Sequence, residues 1–265
     1  MKQIIDIHAH VYPEKIAIKA AQSIGRFYEI DMALDGTLNT YLSVSDKAGI
    51  SLSVVHSAAV TWERVANIND FIASCVDAHP GRLIGYGTAH PDHPEAEKEM
   101  DRMMILGLKG IKLHPDFQHF NLDDPASVRL FAMMAERDLP AIIHTGDTRY
   151  PYSEPERMAR VLDAVPSLRV ICAHMGGWSR WHDAWKVLAG REQVWVDCSS
   201  SLYAMTPEDA VSVMHHYGMD RVLFGVDYPM WYPDIEIGRV EALPLTEEEK
   251  EMVYYKNARA FLGLA

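Results

Sequence analysis

Short apolar runs alternate with longer amphipathic ones along this chain in a regular beat. Residues 3–10, 51–58, 82–89, 108–114, 139–145, 168–174, 193–199 and 221–227 form compact apolar runs of strand length. Between them, apolar positions recur at helical spacing near 37–48, 65–78, 94–106, 124–137, 153–165, 178–189 and 206–217. Gly49 and Gly107 follow helical stretches as C-terminal caps, and Pro207 sits in a first turn behind Thr206. Thr246 with Glu249 forms a capping box that opens a last helix over 246–263. Eight strands alternating with helices predict an α/β fold, a (β/α)8 TIM barrel forming one domain over residues 1–265. An open doubly wound sheet would carry a Gly-rich phosphate turn after its first strand, and no such turn is present there.

The segment 11–36 interrupts the beat. It is long for a loop after a first strand and holds its own helical pattern in Ile16, Ala20 and Ile24. In a barrel it reads either as a lid over the C-terminal mouth or as an extra helix packed beside the barrel.

Composition narrows the function classes. A hydrophobic content of 48% supplies a core for a chain of 265 residues, and a net charge of −12 argues against nucleic acid or an anionic membrane as partner. A small anionic substrate stays admissible, because a bound cation reverses the local field. Cys75, Cys172 and Cys198 are too few and scattered for a disulfide framework. No signal peptide is visible, and no apolar run reaches the ~18–20 residues of a membrane helix. These features predict a cytoplasmic protein acting on a small molecule.

The chemistry lies at the ends of the apolar runs, where barrel enzymes place their reacting groups. In the first run, strict alternation would set Ile5, Ile7 and Ala9 on one face and Asp6, His8 and His10 on the other. Two imidazoles on one face suit a shared cation. The fourth run carries Gly110, Lys112 and His114 on one face; the fifth, sixth and eighth end in His144, His174 and Asp227. Any one of these histidines alone reads better as a satisfied core imidazole. As a set they point to a metalloenzyme. His56, inside the second run, reads as a buried structural residue, and His90 as a pocket residue or a loop residue.

The stretches Asp6-x-His8-x-His10, Gly110-Ile-Lys-Leu-His-Pro115, His144-Thr-Gly146, Ala173-His-Met-Gly-Gly177 and Phe224-Gly-Val-Asp-Tyr-Pro229 resemble the amidohydrolase superfamily. The closest branch is that of the amidohydrolase-related proteins, which includes aminocarboxymuconate-semialdehyde decarboxylase and related metal-dependent hydrolases. The resemblance runs down to Asn257-Ala258 in the last helix. It implies one divalent cation on His8, His10, His144 and Asp227, with zinc first and manganese, iron or nickel also suited to those ligands. Asp227 and His174 would be the catalytic residues. In binuclear relatives a carboxylated lysine at the place of Lys112 bridges two metals, with His144 and His174 on the second; the overall pattern here is nearer the mononuclear branch. The resemblance also implies a homodimer.

For substrate binding the candidates are Lys112, Arg149, Trp178 and Trp231. Lys112 would grip a carboxylate or line the barrel, and Arg149 would fork onto one or stay solvated. Trp178 and Trp231 would wall the mouth or pack in the core. The expected activity is hydrolysis of a small amide, ester or lactone by metal-activated water. The alternative is non-oxidative decarboxylation of a small unsaturated or aromatic carboxylic acid. A non-catalytic barrel would have lost a ligand, and no motif position is missing.

Overall fold

Strand β1 (Ile5–His10) pairs in parallel with β2 (Leu52–His56), and β2 with β3 (Leu83–Gly85), in the computed structural model, which describes residues 3–264. The parallel order continues through β4 (Gly87–Thr88), β5 (Ile111–Leu113), β6 (Ala141–Ile143), β7 (Val170–Cys172), β8 (Val194–Asp197) and β9 (Val222–Leu223). β3 and β4 are two halves of one barrel strand interrupted at Tyr86, so the ring has the eight staves expected. It closes where the chain after β9 runs beside β1: the Ile7 N–H donates to the Phe224 carbonyl at 3.0 Å, and the Asp227 N–H to the His8 carbonyl at 2.7 Å. The fold is the predicted single-domain TIM barrel.

Helices follow the strands close to their expected positions, for example Val65–Ala78, Pro125–Glu136 and Pro207–Tyr217. The Thr246–Glu249 capping box is present, with both reciprocal bonds made. The last helix is less regular than expected: Glu247–Glu251 passes through a π-helical turn, Met252–Lys256, before Asn257–Leu262 resumes. Asn257 fastens this helix to the barrel, its amide donating to the carbonyls of Met219 at 2.7 Å and Val222 at 2.8 Å.

Strand alternation sorts the core into two layers. Ile111, Leu113, Ala141, Ile143, Val170, Val196 and Val222 face outward against the helices. Ile5, Ile7, Val54, Tyr86, Ile142, Ile171 and Leu223 face inward and fill the floor, with Ala258 and Phe261 of the last helix in the same cluster. Each buried aliphatic side chain contributes about 1.5–3 kcal/mol. The floor therefore leaves only the C-terminal half of the barrel for polar chemistry.

One expectation of strand geometry fails, and usefully. The register of β1 against β2 slips between Asp6 and Ala9. Ile5 and Ile7 consequently face the barrel floor while Ala9 joins the outer cluster, so the three do not share a face as strict alternation predicts. The irregularity switches the inward face from Ile7 to His8. Among the described residues no helix is long and apolar enough to cross a membrane.

Candidate metal and active site

His8 sits just past the slip in β1 and is fully buried. Its Nδ1 donates to Asp197 Oδ2 at 2.9 Å, since a carboxylate only accepts. That bond fixes the tautomer and leaves the Nε2 lone pair facing the mouth. His10 Nε2 lies 3.3 Å from it, and Asp227 Oδ1 lies 3.5 Å from His8 Nε2 and 3.6 Å from His10 Nε2. Burial, reinforced by the neighbouring Lys112, holds both imidazoles well below their usual basicity, so both are neutral and able to ligate. Two imidazole lone pairs and a carboxylate oxygen at one point form the donor chemistry a divalent cation takes.

Asp227 and His174 both stand at strand ends with φ of +60°, a left-handed conformation uncommon outside glycine, which turns each side chain back over the barrel. Asp227 Oδ2 accepts the Ser200 hydroxyl, and Ser200 Oγ in turn accepts the indole N–H of Trp231 at 2.9 Å. His174 Nδ1 lies 3.1 Å from the Ser199 carbonyl. That oxygen can only accept, so Nδ1 carries the proton and Nε2 is left for the cavity.

Lys112 is completely buried, and its Nζ donates to His8 Nε2 at 2.9 Å. Burial pulls its pKa down to about 8, against the opposing pull of Asp227 and Asp197.

The opposite wall is built from β5, β6 and the segment before β2. The backbone N–H of Phe117 donates to His114 Nδ1 at 3.3 Å, so the proton of the neutral ring resides on Nε2. That Nε2 lies 2.7 Å from the hydroxyl of Tyr28, the last residue of helix α1 (Glu14–Tyr28). The Tyr28 oxygen therefore accepts, and its own O–H is turned to His144 Nδ1 at a long 3.5 Å. His144 stacks on His114 with ring centres 4.0 Å apart and stands 5.0 Å from the His174 ring. Its Nε2 points toward Asp116 Oδ2 at 3.6 Å without a hydrogen bond. The structure thus converges His8, His10 and Asp227, while His144 lines the same cavity with Nε2 turned to Asp116 and Nδ1 to Tyr28.

That cavity is lined by His10, Lys112, His114, His144, His174 and Asp227 on the barrel side. Ile24, Tyr28 and Met32 of the 11–36 segment line it too, with Phe117, Pro229 and Met230.

Three of the expected substrate residues stand behind this lining. Arg149 is not the free fork expected: Nε and Nη2 are spent on Asp147, and Nη1 donates to the Phe27 carbonyl at 2.6 Å. Its guanidinium lies among Phe27, Tyr28, Tyr150 and Trp178. Trp178 packs edge-on against Tyr28, and Trp231 holds Ser200. His90 turns away toward the Gln118 carbonyl.

Sequence reasoning passed over Asp197, Ser199, Tyr28 and Asp116. Asp197 ends the seventh apolar run as Asp227 ends the eighth, so the same strand-end rule identifies it.

Comparison with known proteins agrees with the fold. The family model described as Amidohydrolase matches residues 5–264. The chain belongs to that family. Decarboxylase orsB of Emericella nidulans is 28% identical over 286 residues, covering 83% of this chain and 84% of that one. The 2-amino-3-carboxymuconate-6-semialdehyde decarboxylase of Dictyostelium discoideum is 27% identical over 334 residues, covering 98% of this chain and 91% of that one. Among solved structures, a dihydroxybenzoic acid decarboxylase of a Polaromonas species superposes with a TM-score of 0.77 at 17% identity, covering 100% of this chain and 98% of that one. That protein was solved with bound manganese and the inhibitor 2-nitroresorcinol.

Proposed function

We propose that this amidohydrolase-family enzyme is a metal-dependent, non-oxidative decarboxylase of a small aromatic or unsaturated carboxylic acid. This reverses the order in which the sequence ranks hydrolysis and decarboxylation, and the decarboxylase relatives favour the reversal. The observation that carries it is the cavity itself. Its lining sets Lys112, suited to a carboxylate, beside imidazole lone pairs suited to a cation, and Ile24, Met32, Phe117 and Met230 suit a flat apolar body.

In this reading His8, His10, His144 and Asp227 hold one divalent cation, zinc or manganese by ligand type. The neutral rings, the 3.3 Å approach of two Nε2 atoms and the Asp197 bond that orients His8 all fit such an ion. When bound, the cation supplies Lewis-acid polarisation of a substrate oxygen.

The remaining steps fall to side chains. Lys112 holds the departing carboxylate, and Tyr28 gives up its long 3.5 Å contact to His144 Nδ1 and donates its O–H to a second substrate oxygen. His174, anchored through Nδ1, takes a proton from solvent water on Nε2 and delivers it to the carbon that bears the carboxylate. The carbon–carbon bond then breaks, its electron pair returning to the substrate as carbon dioxide leaves. A proton on carbon replaces the carboxylate, so the sequence balances without an oxidant.

The test is a substrate panel run in deuterated water with metal-loaded protein. Hydroxybenzoates and unsaturated dicarboxylates would release carbon dioxide and acquire deuterium at the vacated carbon. Turnover of esters or lactones with no carbon dioxide release would reinstate the hydrolase reading.

A further inference from the structure

His56, at the end of β2, is a chemistry-bearing group that this mechanism leaves unused. It is in register with His10 on the neighbouring strand and is completely buried, yet neither of its ring nitrogens has a hydrogen-bond partner. An imidazole buried with both nitrogens unpaired bears the full desolvation cost of both with no bond in return. Such a group calls for a partner that the polypeptide does not supply.

The ring also packs against both histidines of β1. Its centre lies 4.5 Å from the His10 ring and 5.0 Å from the His8 ring, edge-on to both. His8, His10 and His56 each present one nitrogen within 4.8 Å of the other two. Parallel pairing of β1 with β2, together with the slip in β1, produces this convergence. Without the slip, alternation would keep Ile5 and Ile7 inward and turn His8 away from them.

We propose that His56 is itself a ligand of the metal, so that two adjacent strands present three imidazoles beside Asp227. The inference rests on the reading of the mouth as a metal centre. A cation takes the lone pair of a neutral imidazole at about 2.0–2.1 Å, which satisfies a nitrogen that otherwise has nothing. It also changes the preferred ion. Each added nitrogen ligand moves the site away from oxygen-seeking ions and toward zinc, cobalt or nickel.

The test uses full-length protein stripped with a chelator and reloaded with zinc or cobalt. Zinc affinity is read by competition with a chromophoric chelator, and coordinated imidazoles are counted by X-ray absorption. His56→Ala should weaken zinc by at least the ~100-fold that marks the upper end for outer-shell changes, and lower the imidazole count by one. Cobalt-loaded His56→Cys should gain a thiolate-to-metal charge-transfer band absent from the parent, and that spectrum decides if His56→Ala fails to fold. An unchanged imidazole count with unchanged affinity, or a cobalt spectrum without the band when the alanine variant does not fold, overturns the proposal. His8→Ala, run alongside, separates the two levels. If it binds metal as the parent does, or the parent takes up none, the metal-centre reading fails and His56 falls with it. If His8→Ala loses metal while His56→Ala keeps it, only the His56 assignment is lost.

Discussion

The carboxylate of Asp6 accepts the backbone N–H of His8, two residues further along the same strand, at 3.0 Å. The same carboxylate accepts the Val226 N–H at 3.0 Å and the Tyr41 hydroxyl at 2.6 Å. Asp6 therefore ties together the slipped segment of β1, the chain leading to Asp227 and helix α2 (Leu38–Ala48). Burial pushes its pKa up to about 7, and the three donated bonds oppose that rise. It shapes the site by placing His8 rather than by facing the cavity.

Replacing Asp6 by Asn keeps the volume but turns one acceptor atom into a donor against three incoming donors. At least one buried N–H or O–H is then left unpaired, which costs about 1–3 kcal/mol. Metal affinity should fall by roughly 10–100-fold, as for other groups that orient a ligand. Thermal unfolding and chelator competition on Asp6→Asn check both effects. A variant as stable as the parent with unchanged affinity would remove Asp6 from this role.

The barrel was legible because its signal is repeated: an apolar run and an amphipathic run, eight times over. His8, His10, His144, His174 and Asp227 were legible because each ends such a run. Strict alternation misled at Ile7 and Ala9, since a one-residue slip depends on where Asp6 finds its donors, which are far away in sequence. Tyr28 was hidden for a similar reason. Its reach to His114 depends on how α1 lies over the mouth, and a helical pattern does not state a direction. Arg149 was misread because its carboxylate partner, Asp147, lies two residues before it in a loop where no periodicity signals pairing.

The Tyr28–His114 pair predicts a loss in substrate handling without a loss of metal. Burial raises the Tyr28 pKa well above its usual value, so the hydroxyl stays protonated and acts as a donor. Tyr28→Phe removes that O–H and leaves the ring packing against Trp178 intact. With a substrate identified from the panel, kcat/KM should drop by about 10–100-fold, the worth of 1.5–3 kcal/mol of hydrogen bonding to a charged group. Metal content should equal that of the parent. Unchanged kcat/KM would mean the hydroxyl serves only His114.

Arg149 makes a mechanical prediction instead. Its bond to the Phe27 carbonyl and its place among four aromatic rings clamp the end of α1 to the loop after β6. Arg149→Ala frees Asp147 and removes the clamp, while Arg149→Lys keeps the charge but loses the planar fork. Amide hydrogen exchange over residues 14–32 should quicken in both variants, more in the alanine one, with metal binding unchanged. Exchange no faster than in the parent would show that α1 is held by its apolar contacts alone.

Glu236, in the helix Pro233–Glu241, carries the pH prediction, and the charges of Asp227 and Asp6 are near enough to add to its pKa rise. It is 1% exposed and pairs with Arg239, yet one carboxylate oxygen has no partner, and burial pushes its pKa up to about 8 from an ordinary 4.5. Below about pH 4.5 the folded and unfolded states both hold the proton, and the group contributes no pH dependence. Between about pH 4.5 and 8 the unfolded chain has released it while the folded one retains it, so stability falls as pH rises, by up to about 1.4 kcal/mol per pH unit. Asp6 and Asp116, each raised to about 7 by burial, act in the same direction over the lower part of that window. Glu236→Gln mimics the protonated form throughout. Its melting temperature should match the parent near pH 5 and exceed it above about pH 8, by an amount worth a few kcal/mol. Melting curves that stay parallel across the range would mean Arg239 keeps Glu236 ionised in the folded state.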